Sequence, residues 1–272
     1  MDIRLSTNQC PGKQGAPYAE LLAPLGRRIE ALVAAQPIVQ ADETVMRVLH
    51  KDKCKKGYLW TFLAWAMIAG RELNLIAFRF SPSRSGETPV AVLGATQGTL
   101  VVDAYTGYNA VTNPDGRERA GCMAHVRRKL FDALTKAPEA QRALDIIREL
   151  YVVEHEAMEA DVVRQPAHLT LRQIKSRPIM ERLRAWLDDQ KPNHLPKGAM
   201  GEAISYALNN WASLCHRRPE RDPFPPLSPG PGSELSELAG NWRSRPNGRD
   251  HSVAGSGGKG SEMSFPEPLF AT

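Results

Sequence analysis

The segment that most restricts the fold is the apolar run in GTLVVDAYTGYNAV, residues 98–111. Its bulky apolar residues follow one another without the polar–apolar alternation of a half-buried strand, and the run ends in a single aspartate, Asp103. A continuous run of this kind predicts a strand that is covered on both faces. An aspartate in that place is a turn residue, a capping residue or a metal ligand, and the segment alone leaves all three open.

The residues before and after this run have strand and helix patterns in a definite order. A helix is predicted over residues 17–35, because leucine and isoleucine recur there at intervals of three and four. Three strands follow, predicted from the segments PIVQADETVMRVLH, KGYLWTFLAWAM and LNLIAFRFSPS. The stretch SRSGETPVAVLGAT predicts a loop and a short helix before the fourth strand. RAGCMAHVRRKLFDALTKA predicts a short fifth strand that leads into a helix.

The sequence pattern of the second half of the chain changes at two positions. Helical periodicity dominates residues 139–215, and the segment PKGAMGEAISYALNNWASL is predicted to be its last helix. In residues 216–272, proline, glycine and serine supply 25 of 57 residues, with no isoleucine and one valine. Such a segment cannot bury enough apolar surface to offset the entropy lost on ordering. We therefore predict that residues 1–16 and 216–272 are disordered.

Two aspartates fall at corresponding places in this pattern, Asp42 within the first strand and Asp103 at the end of the fourth. Taken singly, each is more often a turn or capping residue than a metal ligand. If the first three strands form an antiparallel meander, however, the fourth arrives by a helical crossover and can lie parallel beside the first. The two carboxylates then stand side by side, and a cation between them relieves their repulsion. Strands in this order with aspartates on the first and fourth are the layout of a ribonuclease H-like α/β domain.

Five ordered segments carry a resemblance to a known family: ADETVMRVL, KKGYLWTFLAW, FRFSPSRSGETPVAVLG, GTLVVDAYTGYNAV and GCMAHVRRKLFDAL. Together they resemble the central domain of the insertion-sequence-sixty-six family of bacterial DDE transposases. The resemblance implies a lead-in helix over residues 17–35, a ribonuclease H-like core over residues 36–138 and a helical insertion over residues 139–215. It assigns the first two catalytic aspartates to Asp42 and Asp103. As ligands of two Mg²⁺ or Mn²⁺ ions, they would serve a phosphodiester displacement.

The chain departs from the family pattern after the segment ALNNWASL. In the family, this helix leads into a D-N-N-x-x-E-R motif that supplies the third carboxylate, but no D-N-N triplet occurs in this chain. GRDHSVAGSGGKG resembles a blurred copy of a later family stretch. We therefore predict a frameshift after Leu214, so that residues 216–272 are out of frame, and a truncated N-terminus. Translating the encoding DNA in all three frames tests the frameshift, since the motif must reappear in one of them.

Basic side chains accompany the two aspartates along the chain. His125, Arg127, Arg128 and Lys129 follow the fifth strand, where they are either DNA phosphate ligands or a solvated helix face. Arg84 lies in the loop SPSRSGE beside the predicted edge of the site. We predict that these five residues contact DNA.

Glu43 follows Asp42 directly. Neighbouring residues of a strand point to opposite faces, so we expect Glu43 to lie outside the metal site.

Composition excludes some functions and leaves others open. The 272 residues carry a net charge of +5, which is compatible with a polyanionic partner without requiring one. The four cysteines include no C-x-x-C pair, which argues against a structural zinc site. Without an apolar leader or a membrane-length apolar run, we expect a cytoplasmic protein with no membrane contact.

Two functions from different classes remain. The first is a remnant of a transposase for DNA cleavage and strand transfer, inactive alone because the third carboxylate is missing. The second is a non-catalytic module that binds DNA or interacts with a transposase. The expected partners are transposon ends and target DNA, a second copy of the chain, or a full-length transposase.

Overall fold

The computed structural model describes residues 16–50 and 53–215. Within them lies a mixed sheet of five strands with the order β3-β2-β1-β4-β5. Its strands are β1 (Ile38–His50), β2 (Lys53–Ile68), β3 (Arg71–Ser81), β4 (Gly98–Val102) and β5 (Arg117–Gly121). The predicted α/β class with a mixed sheet is confirmed.

Strands joined by short connections pair antiparallel, and strands joined by longer connections pair parallel. β1 pairs antiparallel with β2, and β2 pairs antiparallel with β3. The two residues Ala69 and Gly70 join β2 to β3 with φ angles of 50° and 73°, as a tight hairpin turn requires. β4 pairs parallel with β1 and with β5, which needs crossover connections. The predicted meander with a parallel fourth strand and a short fifth strand is therefore confirmed.

The apolar run of β4 is buried along its length, as its lack of alternation predicted. Leu100, Val101 and Val102 are each at most 5% exposed. Leu100 and Val102 belong to a core in which Trp60 and Phe62 of β2 are fully buried. β4 lies between β1 and β5, and Asp103 follows directly after its last residue, Val102.

Most of the α-helices lie in the second half of the described residues. They are α1 (Ala16–Ala34), α2 (Glu87–Leu93), α3 (Met123–Ala133), α4 (Ala140–Glu159), α5 (Pro166–Leu171), α6 (Arg177–Gln190), α7 (Ala199–Asn209) and α8 (Trp211–Leu214). α1 packs on β2 and β3, α7 packs on α3, and α8 packs on β5.

The prediction of one helix over PKGAMGEAISYALNNWASL was wrong, because the structure has two, α7 and α8. Asn210 separates them with φ −102° and ψ 10°. Its side-chain amide donates to the carbonyl of Tyr206 at 2.7 Å. Asparagine side chains that bond the backbone in this way compete with helical hydrogen bonding.

The described residues divide into two compact units. One comprises the chain up to residue 147 together with residues 180–215, and the other comprises residues 148–179. In the second unit, Arg172 donates through Nε to Oε1 of the buried Glu154 at 2.7 Å. The Nε2 of the buried His168 lies 3.3 Å from Oε2 of the same carboxylate. The predicted boundaries of a core at 36–138 and an insertion at 139–215 stay a prediction.

Some predictions concern residues that the structure does not describe. Residues 1–15 and 216–272, predicted to be disordered or out of frame, lie outside the described residues. Among the described helices, none combines the length and apolar character needed to cross a membrane. The cytoplasmic location stays a prediction.

Candidate active site beside strands β1 and β4

The sheet brings Asp42 and Asp103 together. The parallel pairing of β1 with β4 aligns Gln40 with Val101, and each aspartate follows two residues after its member of that pair. Burial raises the pKa of Asp42, and the carboxylate of Asp103 raises it further. The His125 side chain and a hydrogen bond from the Glu43 backbone N–H to Oδ1, at 3.0 Å, act in the opposite direction.

Asp103 also has a local structural role. Its Oδ1 accepts a hydrogen bond from the backbone N–H of Tyr105 at 2.9 Å, the usual contact of an aspartate that opens a turn. A 3₁₀ turn over Thr106–Tyr108 follows directly. The turn role and the ligand role, which were alternatives from the sequence, are thus compatible in one side chain.

His125 lies in the first turn of α3, close to Asp42. Its Nε2 is 3.8 Å from Oδ1 of Asp42. Burial lowers the pKa of His125, but the Cys122 thiol and the carboxylates of Asp42 and Asp103 outweigh burial and raise it to about 9. At neutral pH, a positive imidazolium therefore faces the two carboxylates.

Glu43, the next residue along β1, has other side-chain partners than Asp42. Its carboxylate accepts hydrogen bonds from Arg84 and from the Tyr108 hydroxyl, the latter at 2.8 Å. The Glu43 side chain is 2% exposed, whereas that of Arg84 is 44% exposed. Arg84 is therefore held by an acid in the protein, a partner that the prediction of DNA contact did not include.

A cleft of about 470 Å³ opens beside Asp103. Four of the five basic residues predicted to contact DNA line it; these are Arg84, His125, Arg128 and Lys129. Arg127, the fifth, is not among its lining residues. An acidic residue, Asp132, also lines the cleft. The cleft thus combines a carboxylate with a mainly basic wall.

Two residues at this site were missed from the sequence. Tyr206 of α7 accepts a hydrogen bond from the Ala104 backbone N–H at 3.3 Å, and the Nζ of Lys129 lies 4.8 Å from the centroid of its ring. Arg119 of β5 donates to the backbone carbonyls of Asp103 and Tyr105 at 3.3 and 3.1 Å. Two arginines on a five-residue strand, Arg117 and Arg119, were a sequence signal that could have indicated a role for β5. Tyr206 lies about a hundred residues from Asp103, and no sequence signal linked it to the site.

The donor set suits a hard cation only in part. Two carboxylate side chains are the ligand type that Mg²⁺ and Mn²⁺ prefer. Across residues 16–50 and 53–215, however, no group of three or more His, Cys, Asp or Glu side chains has the arrangement to hold a metal ion. The D-N-N-x-x-E-R motif that supplies the family's third carboxylate does not occur in this chain.

Comparison with known proteins gives consistent matches. Residues 3–217 match the model of the Transposase IS66 family. "Uncharacterized protein y4jD" of Sinorhizobium fredii is 33% identical in an alignment 218 residues long that covers 75% of this chain and 41% of that protein. "Uncharacterized protein y4hP" of the same organism is 28% identical in an alignment 228 residues long that covers 77% of this chain and 41% of the relative. The chain spans about two fifths of the length of these curated relatives.

Proposed function

On the premise that this chain belongs to the transposase IS66 family, we propose that its sheet is a ribonuclease H-like core for DNA transposition. The order β3-β2-β1-β4-β5 supports this proposal, because the first three strands are antiparallel and the last two are parallel to the first. The observation that carries it is the placement of Asp42 and Asp103 at matching positions of neighbouring parallel strands, with Asp103 lining a basic cleft.

In this proposal, Asp42 and Asp103 would hold divalent Mg²⁺ or Mn²⁺. When bound, the metal would supply an activated nucleophile and stabilise the charge that develops on the phosphate. The chain's own residues would bind and orient the DNA. Arg128 and Lys129, both exposed on α3, would contact phosphates, and His125 would balance the charge of Asp42 before metal binds.

We also propose that the chain on its own binds DNA without cleaving it. In the described residues, no third His, Cys, Asp or Glu side chain joins Asp42 and Asp103 in a group arranged to hold a metal ion, and Glu43 is engaged by Arg84 and Tyr108. Two ligands position a metal less firmly than three, and in-line displacement depends on accurate positioning. The alternative, a purely non-catalytic binding or interaction module, predicts the same binding without metal dependence.

The first experiment separates these proposals. The purified chain is incubated with Mn²⁺ and with a DNA fragment that carries the ends flanking its own gene, beside the variant Asp103→Asn. We expect salt-sensitive binding by both proteins and nicking by neither. Nicking that depends on Asp103 would refute the inactive form of the proposal and support an active core. If DNA binding depends on Mn²⁺ in the wild type and Asp103→Asn removes that dependence, the result would favour the metal site over the non-catalytic module.

The second experiment tests the basic cleft. Lys129→Ala and Arg128→Ala should each weaken DNA binding, and each should reduce the slope of log affinity against log salt by about 0.9 if one phosphate contact is lost. Arg127→Ala is the matched control, because Arg127 is on the same helix but does not line the cleft. Equal losses in all three variants would contradict a cleft-specific contact.

The partner predictions can be tested by mixing. If the chain pairs with a longer member of the family, its addition should lower the strand-transfer activity of that protein in proportion to the amount added. The variants Arg128→Ala and Lys129→Ala distinguish two causes of inhibition. Inhibition by competition for DNA would disappear when these variants lose DNA binding, whereas inhibition by pairing of the two proteins would persist.

A further inference from the structure

The carboxylate of Glu43 is buried, and the groups around it occupy both of its oxygens. The Nε of Arg84 donates to Oε1 at 2.6 Å, and the hydroxyl of Tyr108 donates to Oε2 at 2.8 Å. The paired residue on β2 is Trp60, which is fully buried. The backbone of Glu43 is therefore held by the sheet, and its carboxylate is held by hydrogen bonds from two side chains.

Arg84, which is bound to Glu43, also contacts Tyr105. Its guanidinium carbon lies 3.9 Å from the centroid of the Tyr105 ring, a stacked cation–π contact. The Tyr105 hydroxyl donates a hydrogen bond back to the Arg84 carbonyl. The Tyr105 ring also contacts Trp60 and Tyr108, with centroids 6.5 and 6.0 Å away. The ring of Tyr105 is thus held on several sides.

Tyr105 in turn contacts the carboxylate of the candidate site. Its backbone N–H donates to Oδ1 of Asp103 at 2.9 Å. The two loops that meet here approach closely, since a Cβ added to Gly86 would lie 2.5 Å from the carbonyl oxygen of Gly107. An unbroken series of contacts therefore runs from Glu43 through Arg84 and Tyr105 to Asp103.

We propose that Glu43 is a positioning residue that fixes the orientation of the Asp103 carboxylate through Arg84 and Tyr105. A metal-binding aspartate at a strand end can rotate, and a ligand held by its neighbours loses less entropy when metal binds. Arg84 suits this role because its planar guanidinium can pair with a carboxylate and stack on a ring at once. The consequence for metal binding rests on the proposed function, whereas the series of contacts does not.

Hydrogen exchange tests the contacts without metal. The chain has six tyrosines, so labelling with ¹⁵N-tyrosine gives at most six amide signals, and Tyr105→Phe identifies that of Tyr105. We expect Glu43→Gln and Arg84→Met each to accelerate exchange of the Tyr105 amide about tenfold, a factor that corresponds to about 1.4 kcal/mol. The Tyr58 amide, within β2, should change less than twofold.

The matched control is Glu30→Gln. It breaks the Arg79–Glu30 ion pair, with an N–O distance of 2.5 Å, which joins β3 to α1 and lies outside the series of contacts. The Tyr105 amide should exchange at the wild-type rate in this variant. Unchanged exchange in Glu43→Gln and Arg84→Met would overturn the proposal. So would equal acceleration of the Tyr58 and Tyr105 amides, because that result indicates general destabilisation.

Mn²⁺ binding, measured by electron paramagnetic resonance on the full chain, tests the consequence. Asp103→Asn should abolish binding, Glu43→Gln should weaken it by about tenfold to a hundredfold, and Glu30→Gln should leave it unchanged. Loss with Asp103→Asn but not with Glu43→Gln would overturn the positioning role and leave the proposed function intact. No effect of Asp103→Asn would overturn the metal assignment, and the exchange of the Tyr105 amide would then decide the positioning role alone.

Discussion

Asp42 and Asp103 stand at matching positions on neighbouring parallel strands, each two residues beyond the aligned pair Gln40 and Val101. Burial and the carboxylate of Asp103 both raise the pKa of Asp42. A neighbouring negative charge disfavours ionisation of the Asp42 carboxyl. The pairing of β1 with β4, and not any local sequence feature, is the cause of this coupling.

The first prediction concerns this coupling. Asp103→Asn should lower the pKa of Asp42 in metal-free protein, because it removes a negative charge and leaves His125 in place. A pH titration of the ¹³C-labelled side-chain carboxyl carbons measures the change. Asp115→Asn, which alters an exposed aspartate in a turn, is the control and should leave the titration of Asp42 unchanged. An unaltered pKa in Asp103→Asn would contradict the coupling.

The second prediction is a pH dependence of stability. The pKa of His125 rises from 6.5 to about 9 on folding, so the folded protein binds this proton more tightly. The stabilisation of the folded state by protonated His125 is therefore complete below pH 6.5 and is lost as the pH rises through about 9. Linkage limits this stabilisation to about 3 kcal/mol. Urea unfolding with a chelator present, at several pH values between 6 and 10, measures it.

Substitution of the histidine checks the assignment. His125→Gln should remove most of the loss of stability above neutral pH. His155→Gln is the matched control, because that side chain is 60% exposed and should leave the pH profile as in the wild type. If both variants kept the wild-type profile, His125 would not be the responsible group.

The third prediction concerns Arg117, a fully buried arginine on β5. It donates to the carbonyls of Ala34, Gln36 and Thr99 at 2.6, 3.1 and 3.3 Å, and to the Thr96 hydroxyl at 2.8 Å. Burial lowers its pKa to about 10, so it remains charged at neutral pH. It therefore joins the end of α1 to the sheet.

Arg117→Met should lower the free energy of unfolding by about 3 kcal/mol or more, because it leaves buried carbonyls without their donor. Arg117→Lys should lose much of the same stability, since an ammonium cannot reach several directions as a planar guanidinium does. Denaturant unfolding measures both. Arg128→Met, at an exposed site, should change stability by about 0.5 kcal/mol or less, and a loss as large as that of Arg117→Met would contradict the assigned role.

The fourth prediction compares two glycines. Gly98 begins β4 with φ 121°, and a Cβ there would lie 2.3 Å from the Pro37 carbonyl oxygen. Gly98→Ala should therefore destabilise the protein by about 2 kcal/mol or more, through backbone strain and a clash. Gly26 lies within α1, and a Cβ there would have no atom within 4 Å beyond its chain neighbours and the backbone of its own helix. Gly26→Ala should stabilise by about 1 kcal/mol. Thermal unfolding of both variants measures the difference, and effects of the same sign would contradict it.

Much of the sheet could be predicted because its signals are local. The apolar run before Asp103 predicted a strand covered on both faces, and Leu100, Val101 and Val102 are buried. The order of the strand segments suggested an antiparallel meander, and the segment between β3 and β4 predicted the short helix of the crossover. Each of these signals comes from a few consecutive residues.

The contacts at the site could be predicted only in part. The contact of Arg84 with DNA stays a prediction, whereas its partner in the protein, Glu43, lies forty-one positions earlier and was not predicted. Tyr206 contacts the backbone next to Asp103 although α7 lies far along the chain. The break at Asn210 was also missed, because an asparagine within an apolar helical pattern gives no sign that its side chain will bond the Tyr206 carbonyl.

The sequence by itself determined which segments form strands and helices, which residues carry charge, and that the chain belongs to the transposase IS66 family. Hydrophobic periodicity and connection length act over short distances and can be read from the order of the residues. The tertiary structure alone decided that Asp42 and Asp103 influence one another, that His125 faces them, and that Glu43 holds Arg84. Those relationships depend on strand register and on the packing of α3 and α7, which arise only when distant segments meet.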